Sequence, residues 1–275
     1  MEAHQAWQDI YHTAKAWTQE AGQRLRDTLG GTLNVEYKTS AADLVTQKDH
    51  EIEEFFIEHI RHHYPEHAIL GEEGLAETIE DPYREIVWVI DPIDGTTNFV
   101  HQQANFCISV GIYEQGEPRI GIIYDPIHDE FFHTLKGQGA YFNERKLEPL
   151  EKTTMEQSVL GINGLWLTPN RRYDHRKLQS IVRHARGSRS LGSAALELAY
   201  VACGRLDGYL TLRLSPWDYA AGLVILNELG ARMTTIENEP IDIFTSEQTS
   251  IFVAKPGLHE HISDHFLLVD EAPGW

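Results

Sequence analysis

The sequence is poor in basic residues and in long apolar runs. Its 275 residues carry 42 Asp and Glu against 23 Lys and Arg, a formal charge of −19. Such a charge repels the phosphate backbone of a nucleic acid, so no nucleic-acid partner is expected. No apolar run reaches the length of a membrane span or of a signal-peptide core. We therefore predict a protein without a membrane partner that stays in the cytoplasm.

Cysteine is also scarce. The chain contains only Cys107 and Cys203, with neither a CxxC pair nor a Cys/His spacing typical of metal ligands. Both residues stand in apolar surroundings, which favours buried free thiols over a disulfide. Free thiols agree with a reducing cytoplasm.

The chain has no Pro/Ser-rich linker, low-complexity tract or internal repeat, and 41% of its residues are hydrophobic, enough for a substantial core. The first 65 residues have a helical pattern, and a capping box of Thr46 and Asp49 predicts a helix that begins near Gln47. Residues 85–90 predict a buried strand, whose pairing Pro92 is expected to stop. Residues 105–141 alternate as an antiparallel sheet does.

After about residue 155 the pattern changes to alternating helices and strands. It predicts a helix over Ala194–Cys203, a strand over Gly208–Leu212 and a helix that begins near Trp217. Ser215 and Pro216 are typical of the start of that last helix, which places Asp218 in its first turn. We predict an α+β fold in two halves: residues 1–155 with most candidate metal ligands, and residues 156–275 with Asp218 and substrate contacts.

Three short motifs place carboxylates beside residues that favour turns. They are GEEG at 71–74, DPIDGTTNF at 91–99 and WDYAAG at 217–222. Asp91 and Asp94 follow a buried strand, where like charges repel each other unless a cation or a proton intervenes. Because Mg²⁺ prefers oxygen ligands of this kind, a metal site is the economical explanation.

The second motif also suits an anion. Gly95 permits a close approach of the backbone, and the N–H groups of Gly95, Thr96 and Thr97 then face outward at a helix start, where a phosphate binds favourably. None of the three motifs contains Lys or Arg. In a chain of this charge, a bound phosphate must therefore be neutralised chiefly by metal.

Each motif taken singly also has a structural explanation without a ligand. These alternatives are a common turn for Asp94-Gly95, a residue favoured by the helix dipole for Asp218, a capping partner for Asp49, and a solvated turn for Glu72-Glu73. Their combination and order are more specific than any single motif.

Together the motifs resemble the inositol monophosphatase family, and the resemblance extends through Lys38 and Asp43-Leu44-Val45-Thr46 upstream and Gly192-Ser193-Ala194-Ala195 downstream. It covers most of the chain, from about residue 35 to 265. It implies a layered α/β/α/β/α sandwich, usually a homodimer and inhibited by Li⁺. It also implies a phosphatase of small phosphorylated metabolites that uses two or three Mg²⁺ ions to activate water for in-line attack on phosphorus.

The resemblance further implies roles for individual residues. The metal ligands would be Glu72, Asp91 as a bridge, the carbonyl of Ile93, Asp94 and Asp218. The catalytic residues would be Asp49 and Thr96, a pair that activates the water, with Glu73 behind the metal ligands and Lys38 on a loop beside the site. Substrate contacts are expected from Gly95, Thr96, Thr97, Ser193, Ala194, Thr211 and Arg189.

One departure from the family pattern bears on the substrate. Members that prefer inositol phosphate usually carry an acidic residue seven positions before the aspartate of the WD motif, where this chain has Thr211. Inositol monophosphate is the leading substrate, and the alternatives are NADP(H), fructose 1,6-bisphosphate and 3′-phosphoadenosine 5′-phosphate. An inactive relative that binds a metal or a partner is the alternative of another class.

Other phosphatase classes fail on spacing. A haloacid-dehalogenase phosphatase needs its two catalytic aspartates two residues apart, whereas Asp91 and Asp94 are three apart. A cysteine phosphatase needs an Arg six residues after its cysteine, and here that position is a Tyr for both cysteines. Two clusters stay open to more than one interpretation. They are a helical face that is either solvated or metal-binding (His59, His62 and His63), and a basic group that either holds a second phosphate or borders the sheet (Arg183, Arg186 and Arg189).

Overall fold

The computed structural model describes residues 2–29, 35–37, 44–76, 79, 81–244 and 248–272. Lys38, a predicted site residue, and Asp43, part of the upstream motif that carries the family resemblance, lie outside these residues. The helices are α1 (Glu2–Arg26), α2 (Gln47–His63), α3 (Thr96–His101), α4 (His175–His184), α5 (Ala194–Ala202), α6 (Pro216–Glu228) and α7 (Leu258–Ile262). The strands are β1 (Val35–Tyr37), β2 (Leu44–Thr46), β3 (Ala68–Gly71), β4 (Ile86–Asp94), β5 (Cys107–Glu114), β6 (Glu117–Asp125), β7 (Glu130–Leu135), β8 (Ala140–Phe142), β9 (Arg145–Lys146), β10 (Val159–Ile162), β11 (Gly187–Arg189), β12 (Gly208–Leu214), β13 (Arg232–Thr234) and β14 (Thr249–Ala254).

These elements form five layers. The larger sheet has the order β3-β4-β5-β6-β7-β8-β9, and the smaller sheet has the order β11-β10-β12-β14-β13. Helices α1 and α2 cover one face of the larger sheet, α5 and α6 lie between the sheets, and α4 and α7 pack on the outer face of the smaller sheet. Each of the three helix layers has its own apolar core. The predicted α/β/α/β/α sandwich is therefore confirmed.

Helix α6 carries Asp218 onto the larger sheet. Ser109 of β5 donates a hydrogen bond to the carbonyl of Trp217 (3.1 Å), and the hydroxyl of Tyr113 donates to the carbonyl of Ala220 (2.8 Å). The helix is buried on most of its surface, as the apolar sequence of its interior predicts. These contacts place the first turn of α6 directly against the strands that hold the second motif.

Two local predictions were wrong. The first 65 residues are not all helical, because β1 and β2 pair as an antiparallel hairpin between α1 and α2. Pro92 does not end strand β4, which continues to Asp94 with a shift of register against β5 after Asp91. A bulge of this kind leaves proline, which has no N–H group, outside the hydrogen-bonded ladder. The predicted start of α2 at Gln47 is confirmed, and so are the two free cysteines.

The change of pattern near residue 155 coincides with the change of sheet. Strands β3 to β9, which end at residue 146, build the larger sheet, and the strands from residue 159 build the smaller one. Because α6 packs on the larger sheet, the two parts share the middle core, and the division at residue 155 stays a prediction. In the described ranges, no helix has both the length and the apolar character needed to cross a membrane.

Candidate active site

Three carboxylates from two elements meet beside the end of β4. Asp91 and Asp94 belong to β4 and Asp218 to the first turn of α6, and one oxygen of each lies within 4.8 Å of the others. The bulge in β4 explains how two residues three apart in a strand share one side, since regular pleating places them on opposite faces. No other group of three such side chains this close occurs within the described residues.

The repulsion among these buried carboxylates is relieved only by a bound cation or by protons. Burial is the largest cause that raises the pKa of Asp91, and the charges of Glu72, Asp94 and Asp218 raise it further. Burial followed by the charge of Asp94 also raises the pKa of Asp218. Like charges in a site that excludes water are unfavourable, and an oxygen-only set of donors fits Mg²⁺ better than a softer metal.

Glu72 joins the cluster through Asp91. Strand β3 pairs in parallel with β4, and the N–H of Glu72 donates to the carbonyl of Ile90 (3.2 Å), so the GEE motif begins beside Asp91. After burial, the charge of Glu72 is the next cause that raises the pKa of Asp91, so the two carboxyl groups lie close together. Glu73 has a different neighbour, since its carboxylate lies 3.4 Å from Nε2 of His50.

The carboxylate of Asp94 caps helix α5. Its Oδ2 accepts hydrogen bonds from the hydroxyl of Ser193 (2.7 Å) and the N–H of Ala195 (2.6 Å), while Oδ1 accepts from the N–H of Ala194 (3.2 Å). Ser193 and Ala194, predicted to contact substrate, thus donate to Asp94 in this structure. Their observed effect is to orient a candidate metal ligand, and a direct contact with substrate remains a prediction.

Asp49 has two sets of partners. Its Oδ2 accepts from the N–H of Thr46 (2.7 Å), which forms the predicted capping box together with the Thr46 side chain that accepts from the helix backbone, and also from the hydroxyl of Thr46 (2.7 Å). Its Oδ1 lies 3.2 Å from the hydroxyl oxygen of Thr96, which also lies 3.1 Å from the carbonyl of Ile93. Burial raises the pKa of Asp49 to about 6, although the hydrogen bonds from Thr46 oppose the shift. The capping role and the pairing with Thr96 therefore coexist in one residue.

Helix α3 begins directly after the cluster. Gly95 adopts a positive φ of 97° before it, and a Cβ atom there would stand 3.2 Å from that of Ser193. Thr96 is half-buried and Thr97 is exposed. The first N–H groups of a helix have no carbonyl partner within it, so this turn provides donors beside Asp94.

Thr211 lies in the middle of β12 and not at its end, because the strand continues to Leu214. Its hydroxyl oxygen accepts a hydrogen bond from Nε1 of Trp166 (3.0 Å), and the residue is only 4% exposed. Tyr209 stands two residues before Thr211 and therefore on the same face of the strand. Burial is the largest cause that raises the pKa of Tyr209, and the charges of Glu197, Asp94 and Asp218 raise it further.

The two open clusters lie elsewhere. His59 is half-buried, with its ring 4.1 Å from that of Phe55 and 5.3 Å from that of Trp17, so this face of α2 is partly a packing surface against α1. Arg189 is exposed on the edge strand β11, where it donates to the carbonyl of Ser188 (2.8 Å). In the part of the chain that the structure describes, no contact joins Arg189 to the carboxylate cluster.

Sequence reasoning missed Glu53 and Trp166. Glu53 is fully buried, and its carboxylate accepts from the N–H groups of Glu73 and Leu75. The available signal was its position four residues after Asp49, which places both carboxylates on the same face of α2. Trp166 carried no signal, because its contact with Thr211 joins residues 45 positions apart.

Comparison with known proteins shows the family to which the chain is related. The model of the inositol monophosphatase family matches residues 6–267. The inositol-1-monophosphatase of Bacillus subtilis is 51% identical over 261 residues, which cover 95% of this chain and 97% of that protein. The structure of SaIMPase-II from Staphylococcus aureus with inositol monophosphate bound is 40% identical with a TM-score of 0.83, covering 94% of this chain and 93% of that one. The structure of SaIMPase-II with 2′AMP bound is 41% identical with a TM-score of 0.85, covering 94% of each chain. This chain belongs to the inositol monophosphatase family.

Proposed function

We propose that the protein is a Mg²⁺-dependent phosphomonoesterase that hydrolyses inositol monophosphate or a related small phosphorylated metabolite by direct attack of water. The observation that carries this proposal is the meeting of Asp91, Asp94 and Asp218 within 4.8 Å in a chain of this family. All three ligand residues stand in the motifs that carry the resemblance. A relative that has lost activity is expected to lack one of them.

The metal site would be built on Asp91. Asp91 would hold Mg²⁺ together with Asp94, Asp218, Glu72 and the carbonyl of Ile93, and the carboxyl groups of Glu72, Asp94 and Asp218 are those whose charges act on it. Mg²⁺, when bound, supplies charge stabilisation for the phosphoryl group and the leaving oxygen and lowers the pKa of water. Glu73, buried behind Glu72, would support its position.

The attacking water would be oriented by Asp49 and Thr96. The hydroxyl of Thr96 has one proton, and when it donates that proton to Asp49 its lone pairs are free to accept a proton from water. Asp49 is held by the capping box, so the acceptor that receives the proton is fixed before substrate binds. Lys38, predicted on a loop beside this pair, would complete it.

The phosphate would bind at the start of α3, through the N–H groups of Gly95, Thr96 and Thr97. The orientation of a helix start favours an anion, and these donors adjoin the carboxylate cluster. Arg189 would contact a substrate that extends towards the edge of the smaller sheet. No Lys or Arg stands in the three motifs, so the charge of the phosphate would be offset chiefly by Mg²⁺.

The leaving group would lie towards Thr211 and Trp166. A neutral hydroxyl and an indole suit a sugar or a nucleoside. Many relatives instead have a carboxylate at the position of Thr211, and that carboxylate recognises inositol hydroxyls. A 2′-phosphorylated nucleotide such as 2′AMP or NADP is therefore the second candidate substrate, and a relative of 41% identity has been solved with 2′AMP bound. We further propose inhibition by Li⁺, a homodimer and a cytoplasmic location.

The test is phosphate release from a panel of substrates at fixed Mg²⁺. The panel contains inositol 1-phosphate, 2′AMP, NADP, fructose 1,6-bisphosphate and 3′-phosphoadenosine 5′-phosphate. We expect kcat/KM to be highest for inositol 1-phosphate or for a 2′-phosphorylated nucleotide, and high millimolar Li⁺ to suppress it. Absence of release from every member of the panel would contradict the proposal.

A further inference from the structure

Glu53 is a charged residue with no contact to water. It lies in the second turn of α2 and is 0% exposed. Burying an ionised carboxylate is costly unless hydrogen bonds satisfy it. Its Oε2 accepts from the N–H of Glu73 (2.7 Å) and its Oε1 from the N–H of Leu75 (3.0 Å). Both donors belong to the loop that follows β3.

This loop carries the metal ligand Glu72 of the proposed function. The N–H of Glu72 is held by the carbonyl of Ile90, at the end of the parallel ladder between β3 and β4. Beyond that bond the ladder ends, and Glu53 supplies the next two partners of the loop backbone. The backbone is therefore held on both sides of the Glu72 side chain, by the sheet at Glu72 itself and by Glu53 of α2 at the residues that follow.

The space for the Glu53 carboxylate is made by Gly71. A Cβ atom at Gly71 would stand 2.5 Å from Oε1 and 2.6 Å from Oε2 of Glu53, far closer than such atoms approach. Gly71 is the last residue of β3, one position before Glu72. The glycine that opens the GEE motif is therefore explained by a carboxylate that packs on its backbone.

We propose that Glu53 is a positioning residue for the metal site, which fixes the loop of residues 72–75 so that Glu72 reaches Asp91. This inference rests on the proposed function. Asp49 and Glu53 are four residues apart on α2, so one rigid helix would align both the water-activating pair and the loop that bears Glu72. Residues that orient metal ligands typically change metal affinity by about 10- to 100-fold when they are mutated.

Glu228 offers a matched control elsewhere in the fold. Its carboxylate accepts from the N–H groups of Gly137 (2.7 Å) and Gly139 (3.0 Å), so it holds a turn in the same way, but that turn joins β7 to β8. In both Glu53→Gln and Glu228→Gln an amide replaces one of the two accepting oxygens. A purely structural role predicts similar effects of the two substitutions on Mg²⁺ binding.

The experiment is calorimetric titration of Mg²⁺ alone into EDTA-treated wild type, Glu53→Gln and Glu228→Gln, with the Tm of each metal-free protein. We expect the Kd for Mg²⁺ to rise about tenfold or more in Glu53→Gln and to stay within about twofold of wild type in Glu228→Gln. A Kd for Glu53→Gln within about twofold of wild type would overturn the inference while leaving the proposed function intact. Failure of the wild type to bind Mg²⁺ would overturn both.

If Glu53→Gln does not fold, Gly71→Ala takes its place. The added methyl group displaces the Glu53 carboxylate without removing a charge, so we expect the same rise in Kd. An unchanged Kd in a folded Gly71→Ala protein would overturn the inference.

Discussion

The hydroxyl oxygen of Thr96 lies 3.2 Å from Oδ1 of Asp49, a residue 47 positions earlier in the chain. The two come from the starts of different helices, α3 and α2, and each start is fixed by its own local structure. Asp49 is held by its capping box with Thr46, and Thr96 follows the bulged end of β4. Local capping thus fixes both members of this polar pair.

Removal of the Thr96 hydroxyl should separate catalysis from metal binding. Thr96→Val keeps the shape of the side chain but leaves the water without its acceptor, so we expect kcat to fall by about 10²- to 10⁴-fold, the usual contribution of general acid–base catalysis. The Kd for Mg²⁺ should stay near that of wild type, and Thr96→Ser should retain most activity. Turnover of Thr96→Val within about twofold of wild type would exclude this role for the pair.

Asp94 and Asp218 should differ in what they contribute to stability. Both Asp94→Asn and Asp218→Asn should lose Mg²⁺ binding and activity by about a hundredfold or more, because each removes a charged ligand. Without metal, Asp218→Asn should raise the Tm by relieving repulsion in the cluster. Asp94→Asn should lower the Tm relative to Asp218→Asn, because an amide cannot accept all three hydrogen bonds from Ser193, Ala194 and Ala195. Equal Tm values for the two variants would show that the cap on α5 contributes nothing measurable.

Glu197 makes the stability of the metal-free protein depend on pH. Burial raises its pKa from 4.5 to about 7, although the N–H of Leu191 donates to its carboxylate and opposes the shift. Because the folded state binds the proton more tightly than the unfolded state, this group's stabilising contribution is complete below about pH 4.5 and is lost as the pH rises to about 7.

The substitution Glu197→Gln should remove this dependence. The amide keeps an acceptor for Leu191 and carries no charge, so we expect it to stabilise the metal-free protein by about 2 kcal/mol at pH 8 and to have little effect at pH 5. The measurement is urea unfolding at both pH values in EDTA. A difference between variant and wild type that does not change with pH would show that Glu197 is not buried as an ionisable group.

Thr211 should control substrate choice without affecting the metal. A carboxylate there can accept hydrogen bonds from two hydroxyl groups and repels a pyrophosphate, so we expect Thr211→Glu to raise kcat/KM for inositol 1-phosphate relative to NADP by about tenfold. Thr211→Gln has the same size without the charge and controls for displacement of the Trp166 indole from this buried position. If Thr211→Glu and Thr211→Gln give the same substrate ratio, charge at this position does not act on the leaving group.

Local signals in the sequence predicted several elements that position the site, including the capping box of Thr46 and Asp49 and the start of α6 at Pro216. The sequence predicted that Asp91 and Asp94 lie close together because one short motif contains both. The bulge that aligns them was not predicted, since Pro92 suggested a strand end, and a bulge depends on pairing with β5. Long-range contacts could not be predicted from the sequence for the same reason. The bonds from Trp166 to Thr211 and from the loop of residues 72–75 to Glu53 exist only once the layers are stacked.

The most direct test of the proposed metal site is phosphate release from inositol 1-phosphate and from 2′AMP after EDTA treatment, followed by titration with Mg²⁺. The site of Asp91, Asp94 and Asp218 predicts no measurable release without metal and saturable recovery with Mg²⁺, because no basic group in the motifs can offset the charge of the phosphate. Asp218→Asn should show no recovery at the same Mg²⁺ concentrations. Full turnover in metal-free buffer, or full recovery in Asp218→Asn, would contradict the account.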